Sequence, residues 1–443
     1  MLALSENLII AKNSLHTQYP WLLLAELAVN DDGGTYHRWV QNNEDLVLLL
    51  DTYGGSGVVA HYKLNDNAWS TAVLDSSGNG NHATAQRNTT NLHIAGAINS
   101  AHYFNGSSDY HDCGDPFEST FQGSFSISIW VKPDDGRPDA ANEDIFGVKD
   151  GTDHAVLILT TLGNINYYYT AGGNNVQAQS NSAVFSDGPC TVWTHIVATV
   201  DGSNIKLYIN GSEITLDAAN DGDMTGVTMS EFTSAENIYI GARNDDGSDA
   251  NHFAGGIDNA MLFGKALTAA EVTALYRDGA GTEKVPATFQ SFNFDLDQIT
   301  YKGAEMPRTT LRLSNVTQFI KSDLENNRGC TASEITIRVV HANQLYEDYS
   351  ELDTVFEVIY PRITAKFVEF SIGGPSPLRR RFPLERYLAD TCRYVSGFKT
   401  DPRCGYAGAA TSCSGLRSRC RELGNETNFG GFPGLRPETM RLA

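Results

Sequence analysis

Apolar and polar residues alternate with a period of two along most of this chain, the rhythm of strands that bury one face. The pattern is plainest in Ser124–Pro133 (SFSISIWVKP), Thr194–Gly202 (THIVATVDG), Asn204–Ile214 (NIKLYINGSEI) and Asn237–Asn244 (NIYIGARN). Gly, Asn and Asp clusters punctuate these runs, and Asp201-Gly202-Ser203-Asn204 predicts a hairpin turn. Such a train of short strands, from Val58 to about Asp278, predicts an all-β antiparallel jelly roll sandwich. Near its end, Thr268-Ala269-Ala270-Glu271 has the form of a capping box opening a short helix that Asp278-Gly279 ends.

The flanks differ. In residues 1–20, Leu4, Leu8, Ile9 and Leu15 recur near helical spacing, and Pro20 stops them. Trp21–Val29 (WLLLAELAV) reads as a strand buried on both faces, and TYHRWVQNN and DLVLLLDTY as a further strand and an apolar run. One hairpin in some fifty residues has no core of its own. The same character returns after Glu283. Phe292, Phe294 and Leu296 alternate, TTLRLSNV and SEITIRVVHA read as strands, VTQFIKSDLEN as a short helix, and FEVIYPRITAKFVEFSIGG as at least one more strand. Residues 1–56 and 284–374 are therefore expected to complete one α+β domain, with 57–283 inserted at a loop tip, where insertions are tolerated. Residues 375–443 form a third, small domain.

Charge sharpens these boundaries. The formal net charge is −21 over 443 residues. Residues 57–283 hold 28 acidic and 9 basic side chains, a net of −19, so the rest of the chain is near balance at −2. An acidic middle domain will not bind nucleic acid phosphates nonspecifically; it suits divalent cations or neutral sugars. No apolar run approaches the ~18–20 residues that span a bilayer. LIIAKNSLHTQYPWLLLAEL is broken by Lys12, His16 and Pro20, unlike a signal peptide, so folding in a cytosol with reduced thiols is expected.

Four of the seven cysteines, Cys392, Cys404, Cys413 and Cys420, fall in Phe382–Pro433, a stretch too poor in apolar residues to fold unaided. The spacing Cys-x11-Cys-x8-Cys-x6-Cys contains no Cys-x2-Cys pair and neither common ferredoxin pattern, which leaves two disulfides, a four-cysteine zinc site or an iron–sulfur cluster open. Arg393, Arg403, Arg417, Arg419 and Arg421 crowd the thiols, and cations favour an anionic thiolate cluster. The run CRYVSGFKTDPRCGY, the two further cysteines and NFGGFPG resemble the C-terminal domain of the minor tail protein L family of long-tailed phages and the hub proteins of gene transfer agents. The resemblance covers roughly 380–435. It implies one [4Fe-4S] cluster held by Cys392, Cys404, Cys413 and Cys420.

Two further resemblances follow. AHYKLND, LDSSGNGNHA, GAINSAHYFNGSSDY, SFSISIWVKP, WTHIVATVDGSNIKLYING and GGIDNAMLFGKALTAAEVTALY, in that order, resemble the laminin-G-like, concanavalin-like jelly roll family over nearly all of 57–280. GAEMPRTTLRLSNVT resembles the core hub domain of the same phage tail families. Together they imply a structural tail-tip protein of a virion, assembled in the host cytoplasm as a ring of three on tail-tube and neighbouring tail-tip proteins. Its jelly roll would project toward host-surface glycans.

Candidate ligand residues in the jelly roll are few. The family resemblance implies that Asp75 (LDSSGNGN) and Asp258 (GGIDN) lie near one Ca²⁺; the residues read equally as an Asx turn with Asn79 and a loop cap. Trp69, Tyr167 and Tyr169 are candidates to stack on sugar rings, against the alternative of core or hairpin packing. A retaining glycosidase needs two carboxylates about 5–5.5 Å apart, and no pair of glutamates shares a strand here, so the protein is not expected to be an enzyme. The alternatives are a polysaccharide-degrading tail enzyme and a jelly roll that only contacts a neighbouring tail protein.

Overall fold

The computed structural model describes residues 21–431, apart from 30–34, 152, 235, 303–304, 315–319, 343–344, 346–351, 365, 375–391, 395–397, 400–402, 407, 409 and 411. The helical reading of residues 1–20 lies outside these. The chain divides into two compact units, Met1–Gly373 and Gly374–Ala443.

The first unit opens with β1 (Trp21–Ala28), β2 (Tyr36–Val40) and β3 (Leu46–Leu50). The sandwich follows: β4 (Val58–Tyr62), β5 (Ser100–Asn105), β6 (Phe125–Pro133), β7 (Glu143–Asp150), β8 (Asp153–Leu159), β9 (Ile165–Ala171), β10 (Asn174–Ser180), β11 (Thr194–Val200), β12 (Ile205–Ile209), β13 (Arg243–Asp245) and β14 (Ala254–Phe263). Helix α1 (Ala269–Tyr276) leads to β15 (Val285–Ser291), β16 (Glu305–Ser314), α2 (Lys321–Asn326), β17 (Glu334–His341), β18 (Leu352–Ile363) and β19 (Phe367–Gly373).

Two sheets face each other in the sandwich. One has eight strands and runs through β12, β11, β6, β14 and β5, with β4 also on β14; the other has eleven and runs through β10, β9, β8 and β7, with β13 beside β7. Alternation drives the closure. Along β8 and β9, Ala155, Leu157, Leu159, Ile165, Tyr167 and Tyr169 point into one core with Phe104, Phe125 and Ile129 of the opposite sheet. Burying each large side chain is worth roughly 1.5–3 kcal/mol. The β11–β12 hairpin turns where expected, with the Ser203 and Asn204 amides both donating to Asp201 Oδ1.

Strands before and after the sandwich join one sheet, in the order Phe294–Leu296, β16, β19, β18, β17, β1, β2, β15, β3. β1 pairs with β17 over eight residues, and β3 with β15. Its helix among the described residues is the short α2. Arg38 of β2 pairs with buried Glu26 and donates to the Gly54 and Gly55 carbonyls, so it ties the connection into the sandwich to this sheet.

The sandwich shares buried surface with this sheet. Val272 and Leu275 of α1 pack with Val58, Met261 and Phe263 of the sandwich and with Val285 of β15. The capping box forms as expected, Thr268 Oγ1 accepting from the Glu271 amide and Glu271 Oε2 from the Thr268 amide. Glu271 Oε1 also takes Lys265 Nζ at 2.7 Å and the Thr288 hydroxyl of β15 at 2.9 Å. The helix ends one residue earlier than the sequence suggests, because Arg277 and Asp278 both adopt positive φ ahead of Gly279.

The second unit carries α3 (Arg417–Glu422) and little other regular structure among its described residues.

Candidate functional site

Cys420 lies on α3 and is buried, as is Cys404; Cys392 and Cys413 are half-buried. Amide hydrogens are aimed at the sulfurs: Gly430 N–H donates to Cys392 Sγ at 3.3 Å and Gly415 N–H to Cys413 Sγ at 3.4 Å. Asn425 ties two more thiols together. Its Nδ2 donates to the Cys404 carbonyl at 2.6 Å, and its own carbonyl accepts from Cys420 Sγ at 3.1 Å. Burial raises the Cys420 pKa, and so do the Cys392, Cys413 and Cys404 sulfurs, in that order. The Cys420 thiol therefore resists ionisation beside the other three sulfurs.

The neighbouring arginines are engaged otherwise than the sequence suggests. Arg417 and Arg421 both bind Glu426, at 2.8 and 2.9 Å, and Arg419 binds Glu422 at 3.0 Å. Arg421 and Arg417 hold the Glu426 carboxyl down at about 2. Backbone amides, rather than these guanidinium groups, face the sulfurs. Among the described residues no disulfide forms, and no three His, Cys, Asp or Glu side chains gather around a single-ion position. Two of the four sulfurs, those of Cys392 and Cys413, thus accept backbone N–H donors, as thiolate ligands commonly do.

Asp75 and Asp258 stand in different hydrogen-bonded settings. Asp75 Oδ1 accepts from the His61 and Ser77 amides, and Oδ2 from the Ser77 hydroxyl and the Asn81 amide, so N–H and O–H donors occupy it. This is the Asx-turn arrangement, and it carries the bridge from Asp75 to Tyr62. Asp258 lies on β14 opposite Trp130, where Oδ2 accepts from the Ile98 amide and Oδ1 is buried without a partner.

The three candidate aromatics separate. Tyr167 and Tyr169 are fully buried, and the Tyr169 hydroxyl donates to the Phe121 carbonyl at 2.7 Å; their assignment to a ligand surface is corrected, since both rings belong to the core. Trp69 is 84% exposed. Its loop is held by Thr89, whose Oγ1 accepts from the Ala68 amide at 3.0 Å and whose amide donates to the Ser70 carbonyl at 2.8 Å.

The sequence reading missed the outward face of β7–β10. Three cross-strand rows cross it: Asp144–Ile158–Asn166, Gly147–Val156–Tyr168, and Lys149–His154–Thr170. Alternation fixes the direction, because the intervening Ile145, Leu157 and Tyr167 lie in the sandwich core. Asp144 is fully buried and pairs with Arg243 of β13, whose Nη1 stands 3.3 Å from Oδ2. Burial pushes the Asp144 carboxyl up to about 7, against the pull of Arg243 and Asn251. Asn166 Oδ1, His154 Nε2 and Arg243 Nε are buried without partners. Tyr168 is partly exposed and stacks on His154 at 4.9 Å. One signal was available: in a Tyr-Tyr-Tyr run on a strand, only the middle ring can face away from its neighbours. Elsewhere, an open cleft of ≈ 510 Å³ lies between Lys206, Glu213, Leu216 and Asp221.

Fold and comparison agree on the class of the middle domain. Residues 104–273 match the model of the concanavalin A-like lectin/glucanases superfamily. The chain therefore carries a concanavalin A-like jelly roll. Among solved structures it is similar to domain 4 of an extracellular arabinanase from Geobacillus stearothermophilus in complex with arabinotriose (25% identity, 49% of this chain and 96% of that one, TM-score 0.35). It is also similar to the CBM40 of Ruminococcus gnavus IT-sialidase bound to α2,6 sialyllactose (18% identity, 39% and 95%, TM-score 0.32). A third is the receptor binding domain of botulinum neurotoxin C/D mosaic serotype (10% identity, 71% and 92%, TM-score 0.39). No curated protein sequence matches the chain.

Proposed function

We propose that this is a structural tail-tip protein of a long-tailed phage or phage-like particle, with a lectin-like jelly roll that binds host-surface glycans. The observation that carries the glycan reading is the concanavalin A-like lectin match over 104–273, on a sandwich whose outward sheet face keeps hydrogen-bonding groups without partners. The tail assignment rests on the motifs around Cys392–Cys420 and on the strands that flank the sandwich. In this reading the flanking sheet joins two further copies in a ring at the end of the tail tube. Cys392, Cys404, Cys413 and Cys420 would hold a [4Fe-4S] cluster, which when bound supplies the staple that few apolar side chains provide there. The protein's own part is to aim the Gly430 and Gly415 amides at sulfur and to lock Cys404 to Cys420 through Asn425.

The test is a glycan array probed with the full chain, alongside electron microscopy of particles carrying an epitope tag on it. Binding to a defined set of glycans and label at the tail tip are expected. Label absent from the particle would end the tail reading, and an array without signal would end the glycan reading.

A further inference from the structure

We infer that Lys63 and Asn65 are the two halves of a self-made cross-link, an amide joining Lys63 Nζ to Asn65 Cγ, with Glu283 as the proton carrier. The inference is independent of the tail and glycan readings. The three side chains meet where the sandwich hands the chain back to the flanking sheet. Lys63 and Asn65 follow β4, and Glu283 stands just before β15. Glu283 Oε2 binds Lys63 Nζ at 2.9 Å, and Oε1 accepts from Asn65 Nδ2 at 2.6 Å. One carboxylate thus touches both the amine that attacks and the amide nitrogen that leaves. Asn65 Oδ1 in turn accepts from the Ser100 amide at 3.0 Å and the Ser100 hydroxyl at 2.9 Å, at the start of β5.

Each contact has a use in the aminolysis of an amide. In water this reaction is slow, because the reactants must meet, the amine must shed a proton and an amide nitrogen leaves poorly. Here folding supplies the encounter. The carboxylate handles the protons, and the two Ser100 donors face the oxygen on which negative charge develops. The steps balance. Lys63 Nζ gives a proton to Glu283 and attacks Asn65 Cγ. Glu283 then protonates Nδ2, takes the second proton of the attacking nitrogen, and Nδ2 leaves as ammonia. One C–N bond forms and one breaks; an ammonium and a primary amide become a secondary amide and an ammonium ion, with Glu283 unchanged.

Asn99 also reaches Glu283 Oε1, at 2.6 Å, but it is exposed in a turn of positive φ, and among the described residues no donor holds its side-chain carbonyl. Asn65 is therefore the acceptor. Leu64, between the two linked residues, is buried at a φ of 55°, a conformation a leucine seldom takes. The link closes a ring over it and fixes the turn that carries the chain out of β4. Before reaction the pair is ionic. Burial pushes the Glu283 carboxyl up, but hydrogen bonds from Lys63, Asn99 and Asn65 hold it below the usual range. The amine must give up its proton first, so the link forms faster as the pH rises.

The experiment measures the intact mass of the full chain, fresh and after incubation at pH 7 and pH 9, and reads the link as the loss of one ammonia. Trypsin then locates it, since the protease passes over a lysine whose amine is acylated. Ammonia loss at Lys63 and Asn65 is expected in the wild type, faster at pH 9. Lys63→Arg keeps the ion pair without the attacking amine, and Glu283→Gln removes the proton carrier; neither should form the link. Ser100→Ala should slow it tenfold or more, and Asn99→Ala should leave it unchanged. A wild-type chain that keeps its full mass at both pH values overturns the inference. So does ammonia loss that persists in Lys63→Arg, a link mapped to Asn99, or exchange of the Asn65 ammonia for water, which is hydrolysis to aspartate.

Discussion

Between Val58 and Leu262 more than thirty apolar side chains close on one another in a single core, whereas in the C-terminal unit the buried apolar or sulfur-bearing side chains among the described residues are Tyr394, Cys404 and Cys420. The sandwich needs nothing but its own alternation to exclude water. The C-terminal unit has two buried and two half-buried thiols, amides aimed at sulfur and a scaffold of side-chain hydrogen bonds. One region is held by area removed from water; for the other we propose ligation, and substitutions should tell the two apart.

The largest effect is expected at Cys404. Cys404→Ser should abolish the iron of protein purified without oxygen, about four per chain for one cluster, and open residues 375–443 to protease. Cys113→Ser, in the sandwich core, should leave the iron unchanged. Iron content equal in both variants would break the ligation side of the contrast. Next comes the core. Tyr169→Ala should cost about 3–5 kcal/mol in chemical unfolding, as large-to-small core substitutions do. Tyr168→Ala, one residue away on the other face, should cost about 1 kcal/mol or less. Equal costs would mean that the two faces of β9 are not distinct.

This same pair shows what the sequence could reveal. Alternation in Ser124–Pro133 and Thr194–Gly202 marked the strands of the sandwich, and Asp201-Gly202 its hairpin, because period-two burial and turn chemistry are local properties. Which tyrosine faces the core is also local, but only once the register is known; without it Tyr167 and Tyr169 read as candidates for either face. The Asp144–Asn166–His154 constellation was out of reach, since its members come from three strands and β13 closes on it from almost a hundred residues away. The engagement of Arg417 and Arg421 by Glu426 was hidden for a similar reason: spacing puts charges near thiols, but folding decides which partner each finds. The capping box at Thr268 was legible; its reach to Thr288 of the flanking sheet was not.

That reach gives the third prediction. Glu271 is buried, and although burial pushes its carboxyl up, Lys265 and the hydrogen bonds from Lys265, Thr268 and Thr288 hold it below the usual range. Glu271→Ala removes the cap and leaves Lys265 and Thr288 without their partner, so a loss of about 2–3 kcal/mol is expected. Because α1 packs on both sandwich and flanking sheet, hydrogen exchange should rise in β15 as well as in β14. Faster exchange confined to the helix would show that the two parts are energetically separate, despite their shared core.

The smallest effect concerns pH and tests how dry the layer between the sandwich and α1 is. His195 is buried against Trp130 and Tyr276, with Nε2 2.9 Å from the Ser128 hydroxyl, and burial lowers its pKa to about 3. The unfolded chain takes this proton near 6.5. Between those values the unfolded state binds more protons, so stability falls as pH drops from about 6.5 toward 3. His61 and His102, both lowered to about 4 by burial, act with the same sign. Asp144 and Glu143, both raised to about 7 by burial, act oppositely: the folded state keeps a proton that the unfolded state releases, and stability falls as pH rises from about 4 to 7. The net slope is therefore a small difference of opposed contributions, and one substitution is needed to isolate a single group. His195→Gln keeps a polar partner for Ser128 and takes up no proton. Denaturant unfolding at pH 7 and pH 5 should show the wild type losing about 2 kcal/mol relative to the variant at the lower pH. A gap that stays constant would mean that His195 protonates in the folded state as it does in water, and that solvent reaches the sheet beneath α1.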